Sequence, residues 1–189
     1  MEARGLRYFV GFVVVIGLLI LLIVLIFGGG DNKKVPQTTR TLSSYAAGNS
    51  QVSMTIDGKE NSASEHRQVV IAVNPDRVLY EVKQGYNGSV IESHQFTNTT
   101  SAYTAFLLAL EHANFNKVDT KHLDVDPRGY CPLGQRFIFE LTDNGNKVSR
   151  DWWTTCNKPK TFLGDANTVI TLFQAQVPGY HTLIDNVDF

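Results

Sequence analysis

The sequence predicts an α+β domain behind one N-terminal transmembrane helix: an antiparallel β-meander plus a second β-hairpin, with two helices packed on one face. Three observations carry that expectation. Residues 8–27 contain no charge. Several short segments alternate apolar with polar side chains and are separated by Asn-Pro-Asp or Asn-Gly. Two later stretches repeat apolar residues at helical spacing.

The apolar run YFVGFVVVIGLLILLIVLIF, wound as a helix, reaches about 30 Å, the thickness of a bilayer's hydrocarbon core. A cleaved signal competes, because Gly28, Gly29 and Gly30 are small residues that a signal peptidase accepts. Signal cores run only about 7 to 15 residues, so the length favours a retained anchor. No cysteine follows the run until Cys131, which excludes a bacterial lipoprotein. Basic residues flank both ends (Arg4 and Arg7 before, Lys33, Lys34 and Arg40 after), so their count does not orient the helix. Arg7 abuts the span whereas Lys33 lies behind Asp31, and a short head is easily retained inside. The expectation is a single-pass cell-membrane protein with residues 1–7 as a cytoplasmic head, 8–27 in the bilayer, 28–42 as a flexible linker, and 43–189 as an extracytoplasmic domain.

The whole chain carries a net charge of −1. Removing Arg4, Arg7 and Glu2 leaves 15 basic and 17 acidic side chains dispersed over the rest, which argues against nucleic acid as a partner. Residues 43–189 suffice for one ordinary core.

Val52, Met54 and Ile56 alternate as a half-buried strand should, and residues 57–65 read as a polar connection. Residues 68–73 and 78–83 are β-rich and joined by Asn74-Pro75-Asp76, which suits a type I turn. Asn87-Gly88 predicts a tight hairpin with two positive φ angles into a fourth strand at 89–96. Behind Thr99 and Thr100, either able to cap, residues 101–113 place Tyr103, Phe106, Leu107 and Leu110 on one helical stripe. Residues 166–176 repeat the spacing with Val169, Ile170 and Phe173, and end before Pro178-Gly179.

The second hairpin permits a written register. With Asn144-Gly145 as a two-residue loop, Leu141 faces Val148 and Phe137 faces Trp152 on the core side, while Glu140 faces Ser149 and Arg136 faces Trp153 on the other. Trp152 is then core, and Arg136, Ile138, Asp151 and Trp153 form a possible ligand face, with Arg136 placed to lie over the Trp153 ring. Arg150 fits badly, since this register aims it at the core. Leu133 falls opposite Cys156, and Cys131 becomes its diagonal neighbour within disulfide reach. In an exported chain that bridge would contribute about 3 kcal/mol. Two free buried thiols in a cytoplasmic domain are the alternative.

Candidate chemistry weakens on inspection. Thr154-Thr155-Cys156 with His94 upstream resembles the cysteine strand of sortase transpeptidases, but no arginine follows Arg150 to serve the oxyanion. Asp124, Asp126, Gly129 and Gln135 match EF-hand positions, yet Arg128 occupies the fifth and no carboxylate the twelfth. Asp119, His122, Asp124 and Asp126 are weak candidates for holding a metal ion, with a solvated acidic loop as the commoner reading. No cofactor and no catalytic residue is expected. Asn87-Gly88-Ser89 and Asn98-Thr99-Thr100 are sequons, of which the first also reads as a turn.

The blocks EVKQGYNGSVIESHQF, SAYTAFLLALEHANF, YCPLGQRFIFEL, WWTTC and LFQAQVPGY, in this order behind an anchor, resemble a family of uncharacterised single-pass membrane-anchored proteins from small-genome candidate-phylum bacteria. That resemblance implies an envelope location and a domain built around the cysteine pair, and no activity. The functional expectation is a non-enzymatic envelope or surface module, tethered to the bilayer through residues 8–27, that binds a protein or glycan. An envelope-acting hydrolase or transferase using His94, Asp124 or Asp126 is the alternative.

Overall fold

The computed structural model describes residues 40–119, 126–157 and 160–189. The expected head, transmembrane helix and linker up to Thr39 lie outside the described residues. Among those described, no helix is long and apolar enough to cross a membrane.

The folded unit begins at Arg40. Leu42 opens a short 3-10 helix, Leu42–Ala47, and is fully buried. Residues 40–42, assigned to the linker on composition, therefore belong to the domain. Six antiparallel strands follow: β1 (Ser50–Asp57), β2 (Arg67–Val73), β3 (Arg77–Gln84), β4 (Ser89–Thr97), β5 (Arg136–Asp143) and β6 (Asn146–Thr154). Helix α1 (Thr100–His112) lies between β4 and β5 in the chain, and α2 (Ala166–Gln174) and α3 (Tyr180–Ile184) follow β6. The sheet order is β4-β3-β2-β1-β5-β6, so the first four strands form a meander and the last hairpin joins its free side at β1.

One face of the sheet is core. Val52, Met54 and Ile56 of β1, Val69, Ile71 and Val73 of β2, Val78, Tyr80 and Val82 of β3, and Phe137, Phe139 and Leu141 of β5 are all buried in one cluster. The period-2 alternation of strands puts each set on one side. The helices supply the other layer. Thr99 caps α1 by accepting from the Ala102 N–H, and the helix buries Tyr103, Phe106, Leu107 and Leu110. Asp165 caps α2 through the Thr168 N–H, and that helix buries Val169 and Phe173. Phe106 meets Phe173 edge-on at 5.2 Å between ring centres. Each such side chain contributes roughly 1.5–3 kcal/mol by leaving water. Pro178-Gly179 ends the helical region as expected only in part, because α3 restarts directly after it.

The turns differ in how closely they follow expectation. Asn74 Oδ1 accepts from the Asp76 and Arg77 N–H groups, fixing the Pro75 turn. Asn144 and Gly145 have φ of 51° and 78°, the two positive angles of a tight hairpin. Asn87 does not have a positive φ: Gly85 (70°) and Gly88 (69°) supply those angles in a longer turn closed by the Gly88 N–H to the Gly85 carbonyl.

The written register of the second hairpin is corrected. Asp143 faces Asn146 and Thr142 faces Lys147 as expected, but a bulge between Leu141 and Thr142 then shifts the pairing by one. Beyond it Leu141 faces Ser149, Glu140 faces Arg150, Phe139 faces Asp151, Ile138 faces Trp152 and Phe137 faces Trp153. Val148 is the extra residue, left 46% exposed. The faces of both tryptophans, Arg150 and Asp151 are thereby exchanged. The physical gain is evident at Arg150, which escapes the core and reaches Glu140 at 3.8 Å on the open side.

Candidate binding recess on the open sheet face

The sheet face away from the helices is polar over β1 and β2, with Ser53, Thr55, Asp57 and Gln68 facing out among smaller apolar residues. At one end it is walled by the chain from Asp126 to Gly134. Several bonds hold that wall. The Cys131–Cys156 disulfide ties it to the end of β6. The Glu60 N–H donates to the Pro132 carbonyl at 2.7 Å, and Glu60 Oε1 accepts from the Gly129 N–H at 2.9 Å. Tyr130 stacks on Trp152 with ring centres 5.6 Å apart. Trp152 is thus buried beneath the wall on the open side, not in the helix-covered core as the tight register had it.

Behind the wall lies a buried charged cluster. Arg136 is 1% exposed and spends its guanidinium on fixed acceptors: Nε donates to Asp57 Oδ2 at 2.7 Å, one terminal nitrogen to Glu60 Oε1 at 2.9 Å, and the other to the Gly58 carbonyl at 2.7 Å. Asp57 Oδ1 also receives Gln68 Nε2 at 2.9 Å and lies 2.9 Å from His66 Nε2. His66 is fully buried, and its Nδ1 faces the Lys59 carbonyl at 3.0 Å. Tyr86 stacks flat on the His66 ring at 4.2 Å, donates its hydroxyl to the Asn61 carbonyl and accepts from the Asn61 N–H. It is nonetheless 52% exposed.

Wall, cluster and sheet enclose an open recess of about 470 Å³. Its floor is Asp57, Gln68, Arg136 and Ile138, and its rim is Tyr86, Arg128 and Arg150. Asp126 holds Arg128 through side-chain hydrogen bonds, and the guanidinium lowers the Asp126 carboxyl to about 2. The rim thus carries ionised groups of both signs beside an immobilised ring, and the volume is that of a small-ligand or side-chain site, with a lining more polar than is usual for one.

The expected ligand face is divided by the bulge. Arg136 and Ile138 lie in the recess, whereas Asp151 and Trp153 face the helices. Arg136 is buried in ion pairs rather than exposed over Trp153, because it finds three acceptors at the end of β1 and in the loop behind it. Trp153 packs on Phe137 at 5.6 Å against the core. Asp151 is 4% exposed; burial raises its pKa, opposed by a hydrogen bond from Thr161 and by Arg150, and its Oδ1 has no partner.

Of the metal candidates, His122 and Asp124 lie outside the described residues. The Asp119 N–H bonds to the Thr161 carbonyl, and Asp126 is committed to Arg128. Among the described residues no cluster of three metal-capable side chains forms. His94 Nε2 lies 2.7 Å from Glu92 on the edge strand, and both cysteines are bonded to each other, so neither is a free thiol for it to activate. The Asn98 amide donates to the Asn74 carbonyl, which occupies the sequon nitrogen.

Asp57, Glu60, His66 and Tyr86 are the members that sequence reasoning missed. Asp57, Glu60 and His66 sit in or beside the segment read as a polar connection and Tyr86 in the turn before β4, and nothing local marks them, because Asp57 and Glu60 meet Arg136 across 79 and 76 residues and Tyr86 meets His66 across the fold. No protein-family model matches the chain, and no curated protein matches it either.

Proposed function

We propose that this chain is a membrane-anchored, extracytoplasmic binding module of the cell envelope or surface, and that it takes a polar ligand, a glycan or a protein segment, in the recess on the open sheet face. The observation that carries the reading is the contrast between floor and rim. On the floor, Asp57, Gln68 and Arg136 are bound to one another, to His66 behind them and to backbone, so they are held in place. On the rim, Tyr86 and Arg128 are exposed and Arg150 is half-buried, an aromatic and arginine composition suited to recognition. A catalytic site asks instead for a group free to move a proton. Support for the anchor and for export is the charge-free run at residues 8–27 and the disulfide, which belongs to oxidising compartments.

The test uses the full-length chain in detergent micelles against purified envelope glycans and against surface-exposed proteins from the same cells. Retention is expected, with at least a tenfold loss of affinity in Tyr86→Ala and Arg150→Ala, and thermal unfolding checks that both variants remain folded at the assay temperature. Turnover of those polymers that disappears in His94→Ala or Asp126→Ala would sink the binding reading in favour of the envelope-acting enzyme. Labelling of intact cells with an impermeant maleimide checks topology: the thiols should react only after an impermeant reductant.

A further inference from the structure

The two edges of the sheet are treated differently. The outer side of β6 is occupied by the returning chain: the Thr161 and Phe162 N–H groups both donate to the Trp152 carbonyl, and the Trp152 N–H donates to Thr161 Oγ1. No corresponding segment among the described residues pairs with the outer side of β4, which is a nine-residue strand with Val90 and Ile91 about half exposed. An open edge is a template for another strand.

The phase of that edge can be read from one hydrogen bond. The Asn98 N–H donates to the Asp76 carbonyl, one step outside the Arg77–Thr97 pair. In an antiparallel ladder this makes Arg77–Thr97 a non-hydrogen-bonded pair, so Phe96, His94 and Glu92 turn their backbone groups toward β3. Ser93, Gln95 and Thr97 therefore turn theirs outward. Glu92 and His94 sit on one side of the strand, 39% and 42% exposed, and Ser93 lies between them.

We infer that β4 pairs with β4 of a second copy of this chain, antiparallel and centred on Ser93, extending the sheet through a twofold axis. Centring on Ser93 uses the outward N–H and C=O of that residue in both copies. It places Glu92 opposite the His94 of the other copy, and His94 opposite the other Glu92, so the two acidic groups never face each other. Shifting the centre by one to His94 would oppose Glu92 to Phe96 and His94 to itself, which forfeits that match. A twofold contact must be self-complementary, and the Glu-Ser-His triplet satisfies the requirement with its own sequence.

The experiment measures the mass of the full-length chain in detergent by light scattering and sedimentation, corrected for bound detergent. Two chains per particle are expected for the natural sequence. His94→Glu sets four carboxylates around the axis and should weaken association about tenfold or more, since like charges opposed across a ladder repel. The double variant Glu92→His with His94→Glu restores an acidic group opposite a histidine and should recover the dimer. Melting temperatures check that all three chains fold, as both side chains are partly exposed and outside the core. A single chain per particle at the highest soluble concentration, or a dimer indifferent to His94→Glu, would overturn the pairing. A third variant, Ser93→Pro, removes the central donor and should also give the single chain.

Discussion

Hairpins β3–β4 and β5–β6 close the sheet at its two edges, each contains an Asn-Gly pair, and each has a one-residue shift in pairing near its turn. In the first the shift falls between Val82 and Lys83 and leaves Ile91 over. The strand beyond it carries Glu92, His94 and Phe96, all half-buried, toward the helices and the exposed Ser93 and Gln95 away, a shallow contrast in which only Phe96 packs on the core. In the second the shift leaves Val148 over, and the residues beyond it include Arg150, Asp151, Trp152 and Trp153. There the exchange decides which charge is buried and which indole enters the core. The same backbone device is thus almost silent where a strand's two faces are alike and decisive where they differ. The deciding factor lies outside the hairpin, in the wall from Asp126 to Gly134 that gives Trp152 a cover on the open side.

The largest expected effect breaks the cluster that the second hairpin brings to β1. Arg136→Ala leaves Asp57 and Glu60 without their cation and should cost about 3–5 kcal/mol in denaturant unfolding. A loss below about 1 kcal/mol would mean that Arg136 is solvent-exposed and not held in the ion pairs with Asp57 and Glu60.

Trp152→Ala should also lose about 3–5 kcal/mol as a buried truncation, with Trp153→Ala losing less because Trp153 is only partly buried. Ranking alone does not separate the registers, since both make Trp152 the larger loss. A double-mutant cycle with Tyr130→Ala does. Coupling of about 0.5–1.5 kcal/mol is expected between Tyr130 and Trp152, and none between Tyr130 and Trp153.

The turns provide a more modest contrast. Asn144→Ala forces a side chain without a local hydrogen-bonding group into a left-handed conformation and should cost about 1 kcal/mol. Asn87→Ala, at a position without positive φ, should change stability by less than about 0.5 kcal/mol. Equal losses in thermal or chemical unfolding would show that the two turns share a geometry.

Asp151 sharpens the comparison through pH. Its folded pKa is raised, first by burial, so the fold favours the protonated acid. The associated stability is fully present below the ordinary aspartate range and is lost as pH rises through the raised folded value. Asp151→Asn should therefore gain on the natural chain as pH is taken from the acid side to neutrality. Parallel stability curves for the two proteins would place Asp151 on the open face instead.

Local rules reached a good part of this molecule. The Thr99-capped helix, the Asn144-Gly145 turn and the alternation of Val52, Met54 and Ile56 follow from nearest-neighbour chemistry, which a sequence displays directly, while the Cys131–Cys156 bridge follows from the chain having just two cysteines. The α+β class follows from their order. The candidate recess was scarcely legible: Arg136 and Ile138 were placed on a ligand face, but their companions Asp57, His66 and Tyr86 were not.

What the sequence by itself determined is the set of elements and their turn chemistry, because capping, periodicity and positive φ act over a few residues. Only the tertiary structure decided the sides to which Trp152 and Trp153 turn, and that Arg136 is buried in ion pairs on the open face. A one-residue bulge has no sequence signature of its own, and adjacent tryptophans fill either face equally well. The choice is made by distant partners: Tyr130 covers one ring, and Asp57 and Glu60 hold the guanidinium, so burial and charge compensation across the fold select the register.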